Sequence, residues 1–428
     1  FLKLLKCLKK TGKKILLLGG KPIGAVDITK YAKSKGAYVI VTDYLSKEQS
    51  PAKQIADESW SLSTGDVDLL LQKIQEKNVD AVISGVHEYN YARSKELCEK
   101  LGKPFFATTE QWNISTNKAV FKQLCKEYQL PTAKSYSIYD TDINFPIIVK
   151  PVDGNAGQGI SICYNREQLD MAYDEAMSVS IVKDVIIEEY LYGEEVVVFY
   201  TIIDGVSKLS VMTDYYYNYD QEKTMPLPQV YMYPSQYLDE YMDTMDGKVK
   251  KMLKGIGVQN GTFFLQAFKN KDGFFFFEPG FRPGGSSVCK YTKLLNGISY
   301  MDMLVNFAFT GKMLDDINKE NPYFKRPCCT YSVNVKGGII GDIKGYENII
   351  KLPVVIDSEK RYNIGDEVPK MSALRQIVLR FFIVADTYEE IRRTITTIQT
   401  EVDILDTEGN SMLIPNFDIS RLDCYNDC

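Results

Sequence analysis

Histidine is nearly missing from this chain: His87 is the one example in 428 residues. That scarcity removes His-based metal centres and His-dependent triads, because each needs an imidazole as ligand or base. The nine cysteines show no C-x-x-C spacing, which points to buried or free thiols in a reducing, cytoplasmic setting. Cys328 and Cys329 are adjacent, poor geometry for an ordinary disulfide, and pairing of Cys424 with Cys428 stays open. No apolar run approaches the length of a membrane span. The first ten residues, FLKLLKCLKK, are basic and apolar like an amphipathic helix, which suits packing or a membrane surface, and they lack the cleavage site of a signal peptide. A net charge of -5 gives no reason to expect nucleic acid as a partner. What is present, 45% apolar and 25% charged residues, is the balance of a soluble globular protein, long enough for two or three domains.

Residues 14–115 alternate strand and helix signals. Lys14 to Leu18 is an apolar run ending at Gly19-Gly20, Ala25 to Lys35 has helical periodicity, and Tyr38 to Asp43 is a second strand. Asp68 to Lys77 then reads as a helix and Ala81 to Ser84 as a strand, so the order predicts a doubly wound, Rossmann-like unit. The first turn, Gly19-Gly20-Lys21-Pro22-Ile23-Gly24, has lysine where a dinucleotide fingerprint needs its second glycine, which argues against NAD. Asp43 fits the fold with or without a ribose to bind. His87 and Glu88 follow the strand Ala81 to Ser84, where such sheets place ligands; a hydrogen-bonding loop histidine is the expected role.

The next segments carry more chemistry. Asn117-Lys118 opens a helix running to Tyr128, with Thr116 or Ser115 as the expected cap. Phe145 to Pro151 reads as a strand that delivers Lys150, followed by a loop with Gly154, Asn155, Gly157 and Gly159. Glycines let backbone amides approach an anion closely, and a lysine at the strand end adds a point charge. The same residues would also make a glycine-rich hairpin with a surface lysine. Val185 to Leu191 is a strand closing on Glu188 and Glu189, with Glu194 and Glu195 just beyond.

Gly261 to Ser286 predicts an antiparallel hairpin. A three-residue loop, Lys271-Asp272-Gly273, pairs Asn270 with Phe274 and sets Gln266 opposite Glu278, with Arg282 four residues farther on. An amide and a carboxylate converging beside a guanidinium suit Mg²⁺ and phosphate. An aromatic hairpin ending in a surface Glu-Arg pair is the alternative reading.

In this order, Lys118, Lys150 with its glycine loop, Glu188 to Glu195, then Gln266, Glu278 and Arg282, the chain resembles the ATP-grasp superfamily from about Lys14 to its C-terminus. The resemblance implies an α/β and α+β protein: a Rossmann-like domain over 1–115, a two-subdomain ATP-grasp core over 116–327 with a flap subdomain near 134–190, and a small biotin-carboxylase-like α+β domain over 328–428. It implies that Lys118 and Lys150 contact ATP phosphates and that Gly154 to Gly159 forms the flap. It also implies that Glu188 with the Glu189, Tyr190 and Leu191 backbone forms the adenine hinge, and that Glu195 holds ribose. Glu278 would bind Mg²⁺ with Gln266, and Arg282 would steady the transferring phosphoryl group. Two departures stand out. The family usually has an acid at Gln266 and often asparagine at Gly280, which implies one Mg²⁺ or a weak second one.

The implied activity is ATP-dependent ligation of a small-molecule carboxylate to an amine through an acyl phosphate. Lys150 and Arg282 would disperse the developing charge. Alternatives are bicarbonate activation and an ATP-binding module without catalysis. Related enzymes are often dimers. Tyr215 to Tyr219, Pro226 to Tyr231 and Gly284 to Ser287 are the expected substrate contacts, with Tyr216 and Ser286 singled out. Toward the C-terminus, Val335 to Gly341 and Gly365 to Val368 read as short strands and Thr387 to Gln399 as a helix.

Overall fold

The computed structural model describes residues 12–21, 24–153, 159–218, 227–285, 288–370 and 373–426. The basic N-terminal segment, Gly154, Asn155, Gly157, Tyr219, Pro226, Ser286 and Cys428 lie outside these residues.

Four parallel strands open the chain: β1 (Lys14–Leu18), β2 (Tyr38–Thr42), β3 (Glu58–Trp60) and β4 (Ala81–Ser84), in the order β3-β2-β1-β4. Both faces of β1 are buried, as its unbroken apolar run requires of a parallel strand covered by helices. The short strand β3 carries too few apolar residues to stand out in the sequence. Asp43 closes the first turn on itself. Its carboxylate accepts from the Gly20 amide at 2.8 Å and from the Ser50 hydroxyl at 2.8 Å, and it pairs with buried Lys53 at 2.8 Å.

A second, smaller sheet is built from β5 (Ser135–Tyr136), β6 (Ile147–Pro151), β7 (Ser161–Cys163) and β8 (Val185–Glu189), in the order β5-β8-β6-β7. The helix Arg166–Val179 packs on it through Leu169, Ala172 and Ala176.

The largest sheet has eight strands. It joins β9 (Glu194–Ile203), β10 (Val206–Asn218), β11 (Leu227–Tyr233), β12 (Gly261–Asn270), β13 (Gly273–Gly280), β14 (Cys328–Asn334), β16 (Val355–Lys360) and β18 (Ile377–Val384) in the order β13-β12-β9-β10-β11-β14-β18-β16. The remaining strands, β15 (Gly338–Lys344), β17 (Glu367–Val368) and β19 (Asp403–Asp406), form a separate three-stranded sheet. The strand that begins at Cys328 therefore belongs to the same sheet as β11, the two pairing from Val230–Tyr331 to Tyr233–Cys328.

Alternation along β9 sends Val197 and Phe199 to one core and Val196, Val198 and Tyr200 to another. The first core also contains Ile15, Val39 and the helix Tyr300–Thr310, so it fastens the parallel sheet to one face of the large one. The C-terminal helix Tyr388–Glu401 is capped by Thr387 and covers the far end of the sheet through Ile391, Ile395 and Ile398.

Two sequence expectations need correction. The helix Lys118–Glu127 is capped by Asn117, whose side chain accepts from the Ala119 and Val120 amides, rather than by Thr116 or Ser115. The hairpin loop has two residues, since Asn270 pairs with Gly273. Gln266 still faces Glu278, because the register shifts between Gln266 and Ala267 and leaves Phe277 as the extra residue.

Candidate active site

Two clusters of charge form on the elements that the sequence singled out. In the first, β6 delivers Lys150 to Glu188 on β8, at 2.6 Å. Lys122 approaches the same carboxylate at 2.5 Å. Glu188 is buried, which by itself would raise its pKa, but Lys150 and then Lys122 hold it below the ordinary carboxylate value. Two cations around one carboxylate leave a positive excess, which suits a polyanionic ligand. Lys122 was missed in the sequence. Its signal was the four-residue spacing from Lys118, which places both on one helical face.

Gly159 brings the chain back onto this cluster. Its φ of +69° is readily adopted by glycine, and a Cβ there would come within 2.9 Å of Pro151. The Glu189 and Tyr190 amides donate to the Lys134 and Pro146 carbonyls at 2.9 and 3.1 Å. Those two donors therefore serve the fold, and Glu188 serves the lysines.

The second cluster lies on the large sheet. Gln266 donates through Nε2 to Glu195 Oε1 at 2.8 Å, and the Tyr217 hydroxyl donates to Glu195 Oε2 at 2.6 Å. Glu278 faces Gln266 across the hairpin. Burial pushes the Glu195 pKa up to about 7; the hydrogen bonds from Tyr217 and Gln266 oppose the rise, and the charge of Glu278 adds to it. With its nitrogen committed to Glu195, Gln266 keeps its carbonyl oxygen as a potential ligand atom.

Gly280 has a packing cause. It pairs directly with Phe264, and a Cβ at Gly280 would come within 2.2 Å of the Phe264 ring. Arg282 lies over that ring, with Cζ 5.1 Å from the centroid. Its guanidinium donates to the Val86 carbonyl at 3.3 Å and pairs with Glu88 at 3.2 Å, while its buried Nε has no partner. Glu88 thus holds Arg282 from the parallel-sheet domain. The neighbouring His87 is held below its ordinary pKa by burial, and Arg282 adds to the effect.

Tyr216 corrects an expectation. It is buried on the opposite side of the sheet from Glu195, against Phe417 and Tyr425, so it does not join that cluster. Tyr215 and Tyr217 alternate with it and share the face of Glu195.

Residues 112–308 match the family model described as "D-ala D-ala ligase C-terminus". A formate-dependent phosphoribosylglycinamide formyltransferase of Prochlorococcus marinus subsp. pastoris is 33% identical over 190 residues, covering 42% of this chain and 48% of that protein. The chain therefore spans about half the length of that curated relative in the match. The Bacillus subtilis protein of the same name is 22% identical over 328 residues, covering 74% of this chain and 82% of that protein. Among solved structures, the L-amino acid ligase of Bacillus licheniformis superposes with a TM-score of 0.75 at 18% identity, over 92% of this chain and 98% of that one. The phosphoribosylglycinamide synthetase of Anaerococcus prevotii gives 0.73 at 18% identity, over 92% and 99%. The match places an ATP-grasp domain of the D-ala D-ala ligase C-terminal type at residues 112–308, and the superposed structures share the overall fold of this chain.

Proposed function

We propose that the chain is an ATP- and Mg²⁺-dependent ligase that activates a carboxylate as an acyl phosphate for attack by an amine. The observation that carries this reading is the convergence of Glu195, Gln266 and Glu278 at the hairpin, whose second arm continues, four residues beyond Glu278, to Arg282. Among the described residues no group of three or more His, Cys, Asp or Glu side chains forms a metal site. Magnesium fits such a place, since it is commonly held by one or two protein oxygens and completed by substrate phosphates. Glu278 and the Gln266 carbonyl oxygen would hold it, and when bound it would neutralise phosphate charge.

The protein's own groups supply the rest. Lys150 and Lys122, with Lys118 one helical turn away, would meet the phosphates. Arg282 would steady the γ-phosphoryl group as a carboxylate oxygen attacks phosphorus and ADP leaves. The amine nitrogen would then attack the acyl carbon, the C–O bond to phosphate would break, and the nitrogen would give up a proton. Formate, named for the curated relatives, and free amino acids, named for a structural relative, are the first carboxylates to test.

Gln266 supports a second reading, an ATP-binding module without catalysis, because its amide replaces an acid and is bonded to Glu195. ATP titration with and without Mg²⁺, followed by an ADP-release assay with formate or amino acids, separates the two. ADP release dependent on a carboxylate supports the ligase. Tight ATP binding without ADP release supports the module.

A further inference from the structure

Arg380 is 2% exposed and lies on β18, on the same large sheet as Glu195. Its Nε has no hydrogen-bond partner, and neither does the Oγ of fully buried Ser332, which is directly opposite it in the ladder. Unmatched buried polar atoms are rare in native proteins and call for a cause. Charge is unmatched as well. Arg361 donates to Glu359 through a terminal nitrogen at 3.2 Å, its own Nε having no hydrogen-bond partner, whereas Arg380 stands 3.8 Å from the same carboxylate. One glutamate thus faces two guanidiniums.

The position links this pair to the reaction centre. Arg380 donates to the Gly285 carbonyl at 3.1 Å, three residues beyond Arg282. Its Cζ lies 5.9 Å from the centroid of Tyr231, whose ring is 4.0 Å from that of Tyr215, the residue opposite Glu195. The Tyr231 phenol is within electrostatic reach of both ends. Burial raises its pKa, Arg380 and Arg361 act against the rise, and Glu195 adds to it.

We infer that Arg380, with Arg361 and Ser332, forms a binding site for an oxyanion, a carboxylate or phosphate carried by the acceptor substrate. A planar guanidinium edge matches two oxygens of either group. The acceptor assignment rests on the ligase reading above; the anion site itself does not.

The test is calorimetric titration of the full chain, in the presence of MgADP, with inorganic phosphate and separately with succinate. Wild type should bind at least one of them saturably. Arg361→Met and the charge-conserving Arg380→Lys should each weaken that binding at least tenfold while leaving ATP affinity within twofold of wild type. Phosphate preference would indicate a phosphorylated acceptor, and succinate preference a carboxylated one. Failure of both anions to bind, or binding by folded Arg361→Met equal to wild type, would overturn the site. Arg361-dependent anion binding without ADP release from any amine mixture would support the site and count against the ligase reading instead.

Discussion

A side chain at Gly280 has no room, because the Phe264 ring occupies the place its Cβ would take. Restoring the asparagine common in the superfamily therefore should not restore a metal ligand. Gly280→Asn should instead destabilise the protein by about 1–3 kcal/mol, the usual cost of overpacking. Urea unfolding measures this, and pairing the change with Phe264→Leu should recover part of the loss. Glu188 makes a different kind of residue-scale demand, since it sits between Lys150 and Lys122. Glu188→Ala would leave two cations facing each other, and breaking such a buried pair costs about 3–5 kcal/mol. If Glu188 were only an adenine contact, its removal would weaken ATP binding without that loss of stability.

Elements decide what those residues can reach. The facing of Gln266 and Glu278 was legible in the sequence, but through a loop one residue too long; the bulge at Phe277 compensates. The bulge sits on the edge strand β13, where Phe277 stacks on Phe268 and the Phe276 amide donates to the distant Pro131 carbonyl, which no local pattern records. Tyr216 was misplaced for a related reason: three consecutive tyrosines give no alternation by which to choose a face. On β10 the buried Asp214 accepts from the Ser235 and Tyr425 hydroxyls and from the Gln236 amide at 2.9 Å. Burial nevertheless pushes its pKa up to about 7, with those hydrogen bonds opposing. Its unfolded value is about 3.9. The folded state therefore binds the proton more tightly, so this group's contribution is fully present below about pH 4 and is lost as pH rises through about 7. Asp214→Asn should flatten that part of the stability–pH curve, which denaturant melts at several pH values would show. An unchanged slope would contradict the assignment.

At the scale of the whole molecule, Arg282 couples two layers. It comes from the end of the hairpin but is held by Val86 and Glu88 at the carboxyl end of the parallel sheet. Glu88→Gln should therefore lower kcat for ADP release about tenfold, the scale of one charge-assisted hydrogen bond, with little change in ATP affinity. The Rossmann-like unit was legible because its strands are short, apolar and separated by glycine turns. The continuity of the large sheet through β14, β18 and β16 was not, because strand order depends on contacts far apart in sequence. The most direct test of the central claim uses ¹⁸O-labelled formate or amino acids with ATP, Mg²⁺ and an amine. Carboxylate activation predicts ADP and orthophosphate carrying one ¹⁸O from the carboxylate, with loss of the signal in Arg282→Met. Orthophosphate bearing solvent oxygen alone, or release of AMP and pyrophosphate, would contradict it.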